Sequence, residues 1–364
     1  MKTNKIFPFL LFLAVFFQSC EQIVELDSFK PAPKLVLNGV AKAGEPVRAN
    51  LSRTWFHTDG KPNLTIPDAD VRLYVNDVFL EQLTFVAPAK EAQSGSYEAA
   101  YSPSAGDRIR ITASAPGYPD IAAVSELPLP MPVASCRLLA QKSLVVDDDS
   151  VRQYSVNYTL DLTVKDEPAE ANYYLIYGKE FWRGKYGYGY ENGAGYGYEG
   201  GVNGFEVNQG DTVYWNYTYI HFSEEPLFKN VVTAFDYIFG TGGSQNNYWG
   251  AFSDELIDGR TYSMQLPLGW YGYTIYQSKE DQSILYPRKF RFYLQAISKD
   301  YFDYLKTLQE LKSGSFTGDL ASAGFAEPIR LPSNVEGGTG VLGSATECIY
   351  EWDERDIISF EGPR

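Results

Sequence analysis

Short runs in which apolar and polar residues alternate recur along this chain, and they restrict its fold more than any other feature. Val71, Leu73 and Val75 alternate with polar neighbours, and the segment 108–112 repeats the pattern as Arg-Ile-Arg-Ile-Thr. Successive side chains of a strand point to opposite faces of a sheet, so a period of two builds sheets with one face toward a core. The chain is therefore predicted to be mainly β.

Residues 34–127 are predicted to form an immunoglobulin-like β-sandwich. Asn76-Asp77 separates the strand at 71–75 from a returning run at 79–85, which is typical of a hairpin with a two-residue turn. Other turn residues recur at strand-length intervals, at Gly44-Glu45-Pro46, Gly95-Ser96, Ala105-Gly106-Asp107 and Pro116-Gly117. Short strands with this spacing over about 95 residues are typical of a sandwich.

A proline-rich linker at 128–132 is predicted to separate this unit from a larger β domain at 133–364. Prolines at alternate positions fix φ, remove hydrogen-bond donors and keep a segment extended. Longer strand-like runs follow the linker, at Tyr154–Val164, Tyr173–Phe181, Thr212–Phe222, Thr261–Leu266 and Arg288–Ile297. Strands of this length need two packed sheets or a barrel to bury their apolar faces.

The segment 299–312 has a helical period instead. Ser298 is placed to cap it, Asp300 lies in its first turn, and Ser313-Gly314 ends it. Its apolar residues recur three apart, at Phe302, Leu305, Leu308 and Leu311. We predict one short amphipathic helix that covers apolar surface of the second domain; contact between its tyrosines and a ligand is the alternative.

The first twenty residues have the composition of a lipoprotein export signal. Lys2 and Lys5 precede an apolar run from Ile6 to Phe17. As a helix this run reaches only about 18 Å, short of the ~30 Å hydrocarbon core of a bilayer. A small residue directly before Cys20 fits cleavage by the lipoprotein signal peptidase, so residues 1–19 are predicted to be removed and Cys20 to be acylated. An ordinary secretory signal is the alternative.

Residues 20–33 are predicted to be a lipidated tether, polar and too short to reach beyond about 45 Å. The net charge of −15 becomes −17 once 1–19 are removed, because that segment carries two lysines and no acids. An acidic surface repels phosphates, which argues against nucleic acid as a partner and against electrostatic adsorption to a membrane. The predicted contact with the lipid bilayer is therefore the acyl anchor on Cys20.

Two other cysteines, Cys136 and Cys348, leave two alternatives open. Outside the cytoplasm they can form a disulfide, which would tie the first and last strands of the second domain together. Otherwise they are two small buried thiols that never meet.

The segment 183–204 is rich in tyrosine and glycine and is predicted to be a loop or protruding hairpin. Glycine at alternate positions disfavours a central strand, while tyrosine offers large amphipathic faces. Such a loop is either an adaptable recognition surface or an insert without a role in binding. Together with a second aromatic-rich loop at 235–249, it supplies the predicted ligand- or partner-binding residues, which are Tyr186, Tyr188, Tyr190, Tyr196, Tyr198, Trp249 and Trp270.

Residues suited to catalysis or metal binding are sparse. His57 and His221 are the two histidines, and the sequence has no nucleophile elbow, phosphate loop or paired-cysteine motif. Asp147-Asp148-Asp149 lacks the spacing of a calcium loop and is predicted to be a solvated turn. The acid doublets at 224–225, 254–255 and 353–354 point to opposite faces of a strand, so none is itself a catalytic pair. No catalytic residue, metal or cofactor is predicted.

Five segments, in order along the chain, resemble the domain of unknown function 4249 family of Bacteroidota outer-membrane lipoproteins. They are KLVLNG at 34–39, IPDADV at 66–71, FSDELIDGR at 252–260, DYFDYL at 300–305 and EPIRLPSNVEGGTGVLG at 327–343. The resemblance implies an outer-membrane lipoprotein, often encoded beside a TonB-dependent transporter of the SusC-like type, without known catalytic residues. Glu21, Glu25 and Asp27 behind the anchor resemble, loosely, the surface-export signals of these bacteria.

The expected function is that of a non-catalytic binding accessory of a TonB-dependent outer-membrane transporter, facing the cell exterior. Aromatic side chains offer rigid contact area at low entropic cost, whereas proton transfer needs positioned titratable groups. A glycoside hydrolase with two carboxylates is the first alternative. A structural or adhesive surface lipoprotein is the second.

Overall fold

The computed structural model describes residues 30–56, 59, 65–88, 95–166, 170–183, 190–191, 194–195, 204–208, 211–222, 225–228, 250–269, 272–312 and 330–358. Within these ranges the chain is mainly β, with several sheets and few helices. The predicted fold class is confirmed.

Eight strands precede the proline-rich linker. They are β1 (Leu35–Lys42), β2 (Arg48–Arg53), β3 (Asp70–Val75), β4 (Val78–Gln82), β5 (Thr84–Val86), β6 (Ser96–Glu98), β7 (Arg108–Ser114) and β8 (Ile121–Glu126).

The remaining strands are longer on average and include three of fifteen residues. They are β9 (Val133–Asp147), β10 (Val151–Lys165), β11 (Tyr173–Arg183), β12 (Tyr190–Glu191), β13 (Ala194–Gly195), β14 (Gly204–Asn208), β15 (Asp211–Thr218), β16 (Ala251–Ser253), β17 (Thr261–Pro267), β18 (Tyr273–Ser278), β19 (Ile284–Leu285), β20 (Lys289–Ile297), β21 (Val335–Glu336) and β22 (Thr339–Asp353). Within the described ranges the α-helices are α1 (Lys299–Lys312) and α2 (Glu354–Ile357), and 3-10 turns lie at Pro226–Phe228 and Asp254–Leu256.

A ten-stranded sheet runs through both halves of the described chain. Its order is β14-β15-β11-β20-β22-β1-β2-β6-β5, and β16 pairs with β11 beside it. A five-stranded sheet, β21-β8-β7-β3-β4, faces its N-terminal half, and a second one, built from β9, β10, β17, β18 and β19, faces its C-terminal half. The result is two sandwiches that share one sheet.

Each sandwich has its own core of fully buried side chains. Leu37, Leu73 and Ile111 lie in the first core, and Leu160, Leu266, Phe290 and Phe292 lie in the second. At about 25 cal/mol per Å² of apolar area removed from water, burial of such residues is the main term that stabilises each unit.

Several local predictions are confirmed. Asn76 and Asp77 both have positive φ, 50° and 66°, as a two-residue hairpin turn requires. The predicted helix has the bounds of α1, and its Phe302 and Leu305 pack against the ten-stranded sheet. The predicted returning run at 79–85 is instead divided between β4 and β5, which belong to different sheets.

Ser298 does not cap α1 through its side chain as predicted. Its hydroxyl accepts a hydrogen bond from the Ser344 backbone N–H at 3.1 Å, and its carbonyl accepts the helical bond from Phe302. The hydroxyl therefore ties the start of α1 to β22 rather than satisfying the helix terminus.

Strand β22 joins the two sandwiches. Its first half pairs in parallel with β1, from Val36↔Thr339 to Lys42↔Ala345, and its second half pairs antiparallel with β20. Val335 and Leu342 pack in the first core although they lie far beyond the linker in sequence. The predicted division at 128–132 did not include this contribution of the C-terminal segment to the first unit.

The segment 334–346 is held at this junction by side-chain hydrogen bonds to the backbone. Asn38 Oδ1 accepts from the Val341 N–H at 3.1 Å, and the Asn334 amide both accepts from and donates to Leu342 at 2.9 Å. Thr346 Oγ1 donates to the carbonyl of Pro128 in the linker at 2.6 Å. Asn334 Nδ2 also donates to Asp300 Oδ2 at 3.0 Å, so the described parts of three segments that carry the family resemblance, at 34–39, 300–305 and 330–343, meet at the junction.

Candidate functional site

Four adjacent strands of the ten-stranded sheet place aromatic and charged side chains on one side of the second sandwich. Tyr217, Lys179, Arg291 and Glu351 are cross-strand partners across β15, β11, β20 and β22, so they share a face. The alternate positions of β20, which are Phe290, Phe292, Leu294 and Ala296, point into the core. We call this side the outer aromatic face and define it by Tyr177, Lys179, Trp215, Tyr217, Arg291, Tyr293, Ile349 and Glu351.

Lys179 lies at the centre of the aromatic rings. Its Nζ is 4.0 Å from the centroid of the Trp215 ring, 5.5 Å from that of Tyr293 and 5.8 Å from that of Tyr217. Trp215 and Tyr217 meet edge to face, with centroids 5.5 Å apart. A cation held over indole and phenol faces is attracted by the ring quadrupoles, which restricts the side chains that form this group.

Tyr177 and Tyr293 stack with centroids 4.5 Å apart and planes 9° from parallel. The Tyr177 hydroxyl donates to Glu347 Oε2 at 3.3 Å, and Gln295 Nε2 donates to the same oxygen at 2.5 Å. Burial, and then the charge of Glu347, raises the pKa of Tyr177, so this phenol stays protonated and acts as a donor.

Arg291 links the aromatic rings to the acidic border of the face. Its guanidinium lies 4.7 Å from the Phe181 ring and forms an ion pair with Glu351 at 2.7 Å. Burial opposes the charge of Glu351, but hydrogen bonds and charge from Arg291 and Lys289 lower its pKa below the usual value. Glu351 is therefore ionised at neutral pH.

The outer aromatic face is suited to recognition. Tyr217 and Ile349 are 57% and 54% exposed, so large apolar groups are open to solvent beside fixed charges of both signs. The Tyr177 phenol stays protonated and the Glu351 carboxylate stays ionised, so these groups favour contact with a partner over proton transfer. Rigid aromatic rings with neighbouring arginine are the composition of binding surfaces in which few residues dominate the affinity.

The comparisons with known proteins agree with the resemblance seen in the sequence. The family model described as "Domain of unknown function (DUF4249)" matches residues 21–348. The chain belongs to the DUF4249 family. None of the curated proteins compared with it gives a significant match.

Most of the predicted binding residues of this DUF4249 chain lie outside the described residues. These are Tyr186, Tyr188, Tyr196, Tyr198, Trp249 and Trp270. Tyr190 lies in β12, which pairs with β13 as a short hairpin inside the predicted loop. The tyrosine- and glycine-rich segment leaves β11 after Arg183 and rejoins the sheet at Gly204, whose cross-strand partner is Trp215. The loop therefore begins and ends at the border of the outer aromatic face.

The described aromatic residues of the face were missed by the sequence analysis. Tyr177 and Trp215 lie within strand-like runs, which were treated as core-forming segments. A partial signal was the alternation, since Tyr177, Lys179, Arg291 and Tyr293 share one parity along β11 and β20 while Ile176, Phe292 and Leu294 share the other.

Two of the acid doublets are described, and neither lies within a strand as the sequence analysis assumed: residues 254–255 lie in a 3-10 turn, and 353–354 span the end of β22 and the start of α2. Asp353 accepts hydrogen bonds from Arg355 at the start of α2, while the neighbouring Glu354 points into the core and is 1% exposed. Asp254 is buried and accepts from the backbone and side chain of Asn172 at 2.8 and 2.9 Å. These acids satisfy backbone and side-chain donors within the fold.

One cluster of titratable groups lies inside the second sandwich. Glu354 accepts from the Tyr158 hydroxyl at 2.7 Å, from the Arg288 backbone at 3.0 Å and from the Arg288 guanidinium at 3.3 Å. Glu180 faces the same cluster, and its Oε2 is buried with no hydrogen-bond partner among the described residues. Burial raises the pKa of Glu180, with a further contribution from Glu354, while Arg288 acts in the opposite direction.

The two cysteines do not form the disulfide that the sequence left open. Both are partly buried thiols, Cys136 on β9 and Cys348 on β22, and they pack against the second core from two different sheets. Burial, and then the charge of Asp161, raises the pKa of the Cys136 thiol to about 12. That thiol therefore stays protonated at neutral pH, as expected for a structural rather than a reactive cysteine.

The ranges given above lack both a metal-binding cluster and a membrane-spanning helix. There, no group of three or more His, Cys, Asp and Glu side chains is arranged to hold a metal ion. His57 lies outside those ranges, and the His221 ring makes a 2.7 Å contact with the Gly269 carbonyl. Among the helices of the described chain, none combines the length and apolarity needed to cross a bilayer.

Proposed function

We propose that this DUF4249 protein is a lipid-anchored, surface-exposed outer-membrane protein that serves as a non-catalytic binding accessory of a TonB-dependent transporter. The outer aromatic face is the observation that carries the binding role, since it combines the exposed Tyr217 ring and partly buried aromatic neighbours with fixed charges on a rigid sheet. The export signal and Cys20 support the anchor. The link to a SusC-like transporter rests on what membership of the family implies.

The proposed contact surface consists of the outer aromatic face together with the tyrosine- and glycine-rich loop that begins and ends at its border. A face on a sheet positions its side chains more accurately than a loop does, so it supplies the anchor residues. The loop supplies adaptable tyrosines. This division assigns the predicted residues Tyr186 to Tyr198 a supporting role.

Cys20→Ala is expected to release the protein from the outer membrane. Without a thiol at the cleavage site no diacylglycerol can be attached, and the acidic chain has no electrostatic attraction to anionic lipid. Membrane fractionation of cells that express the variant at the native level checks this. Mass spectrometry of the unaltered protein shows whether its N-terminus is acylated. An unmodified N-terminus, or unchanged fractionation, would contradict the anchor.

Tyr217→Ala is expected to lower the amount of transporter recovered with the tagged, detergent-solubilised protein by roughly tenfold or more. Removal of a dominant aromatic contact costs about 2 kcal/mol or more of binding free energy. Quantitative mass spectrometry of affinity-purified complexes from native membranes is the measurement.

Tyr286→Ala is the matched control, because Tyr286 is also a tyrosine that is half exposed, at 51%, and lies outside the face. It should leave recovery unchanged. Isolation of the unaltered protein without any transporter would refute the proposed function. Loss of cell attachment on deletion of 184–201, with transporter recovery intact, would favour the adhesive alternative.

A further inference from the structure

A groove of about 640 Å³ crosses the solvent-facing side of the five-stranded sheet of the first sandwich. Its shape follows from one row of cross-strand partners, Glu336↔Ala122↔Thr112↔Arg72, which runs across β21, β8, β7 and β3. Small side chains form the floor in the middle of the row, and a long charged side chain stands at each end. The inward side chains Val71, Leu73 and Ile111 belong to the core beneath it.

The wall formed by β3 is fixed by contacts within the protein. Arg72 donates to both carboxylate oxygens of Asp70, at 3.1 and 2.5 Å. The Tyr74 ring lies between the Arg110 guanidinium, 3.9 Å from its centroid, and the edge of Phe79, with centroids 5.6 Å apart. A guanidinium and an aromatic ring are therefore held in place before any ligand arrives, which reduces the entropic cost of binding.

The opposite wall presents acceptors. Asp120 and Glu336 line it, and both side chains are exposed. Gly337 completes this wall with φ of +74°, and a Cβ there would lie 2.4 Å from the Asp120 carbonyl oxygen. The lack of a side chain lets the β21 end of the groove approach β8 closely.

We propose that this groove binds a neutral saccharide chain. The carboxylates of Asp120 and Glu336 accept hydrogen bonds from sugar hydroxyls. The Arg72 guanidinium and the Thr112 hydroxyl donate hydrogen bonds to sugar oxygens. Asp70 already compensates the charge of Arg72, so Asp120 and Glu336 give the groove a net negative charge that disfavours an anionic saccharide. The small floor of Ala122 and Thr112 offers little area to an apolar ligand. The volume lies within the ~300–1,000 Å³ of small-molecule sites. The inference does not rest on the proposed function, because it concerns a different sheet.

The test is binding of the full-length, detergent-solubilised protein to an array of neutral, uronic and amino-sugar oligosaccharides, followed by calorimetry on each member that binds. We expect a neutral oligosaccharide to bind with a Kd between about 10 μM and 1 mM. Glu336→Gln and Arg72→Gln should each weaken it about tenfold, and Ala122→Trp should abolish it by filling the floor. Glu45→Gln is the control, since Glu45 is an exposed acid in a turn outside the groove.

Three results would overturn the inference. They are no neutral array member binding more tightly than about 1 mM, binding that all three groove variants leave unchanged, and binding of an oligolysine peptide in place of any neutral saccharide. The Tyr217→Ala variant should bind the saccharide normally. A protein that binds saccharide but recovers no transporter refutes the proposed function alone, and one that recovers transporter but binds no saccharide refutes this inference alone.

Discussion

Gly340→Ala is expected to lower the free energy of unfolding by about 3 kcal/mol or more and to separate the two sandwiches. Gly340 lies in β22 opposite Leu37 of β1, with φ of +114°, and an added Cβ would lie 2.1 Å from the Leu37 carbonyl oxygen. Neither strand can yield easily, because Leu37 is fully buried in the first core. Overpacking against backbone and a positive φ each cost roughly 1–3 kcal/mol.

Loss of this pairing would affect both units, since β22 continues into the second sandwich through its pairing with β20. We therefore expect the variant to expose protease sites on either side of the linker at 128–132, such as Glu126 and Arg137, because Thr346 no longer holds the Pro128 carbonyl. Urea unfolding of the detergent-solubilised protein, followed by tryptophan fluorescence, gives the free energy, and limited proteolysis reports on the linker.

Gly106→Ala is the matched control for backbone conformation. Gly106 has φ of +86°, yet a Cβ there meets nothing within 4 Å. It should cost only the conformational strain, about 1–2 kcal/mol. If Gly340→Ala were no more destabilising than Gly106→Ala, close packing of β22 on β1 would not be what joins the two units.

Local sequence patterns predicted those elements whose determinants are local. The turn at Asn76-Asp77, the bounds of α1 and the runs that became β10, β11 and β17 follow from alternation, helical period and turn residues. Strand β22 was not predicted, because glycine is unfavourable in strands by propensity. At Gly340 the glycine is required by contact with Leu37, some 300 positions away in the sequence, and no local pattern contains that contact.

The outer aromatic face was beyond sequence analysis for a related reason. Tyrosine fits both a core and a solvent-facing sheet surface, so Tyr174, which is 3% exposed, and Tyr217, which is 57% exposed, look alike in a strand-like run. A second sheet packs on only one face of the ten-stranded sheet, and that packing decides which set of alternate residues is buried. Three of the five family-like segments instead marked the junction of the sandwiches.

Glu354→Gln is expected to lower the free energy of unfolding by about 3–5 kcal/mol, because it leaves a buried cation without its counterion. Glu354 is 1% exposed and accepts from Tyr158 and from the backbone and guanidinium of Arg288. Burial opposes the charge of Arg288, but Glu354 and Glu180 outweigh it and raise the pKa of the guanidinium. The substitution preserves shape and removes the charge.

Glu351→Gln provides the control, with the same chemical change three residues earlier in the chain. Glu351 pairs with Arg291 and Lys289 on the outer side of the sheet, where water screens the charges. An exposed pair contributes about 0–1 kcal/mol. Equal losses in the two variants, measured by urea unfolding, would show that the interior pair is no stronger than a surface one.

Glu180 gives this experiment a pH dependence with a definite sign. Its folded-state pKa is raised, chiefly by burial, above the ~4.3 of an unfolded glutamate. The stability that its neutral form contributes is therefore present below about pH 4 and is lost as the pH rises through the folded value. Glu180→Gln alone should gain stability relative to the unaltered protein between those limits.

In the Glu354→Gln background the sign should reverse, since an ionised Glu180 is then the carboxylate that remains near Arg288. The double variant should therefore lose more than the sum of the two single changes at pH 7, a coupling that urea unfolding of all four proteins measures. Additive losses would mean that Glu180 does not interact with Arg288, and the cluster would reduce to the single pair of Arg288 and Glu354.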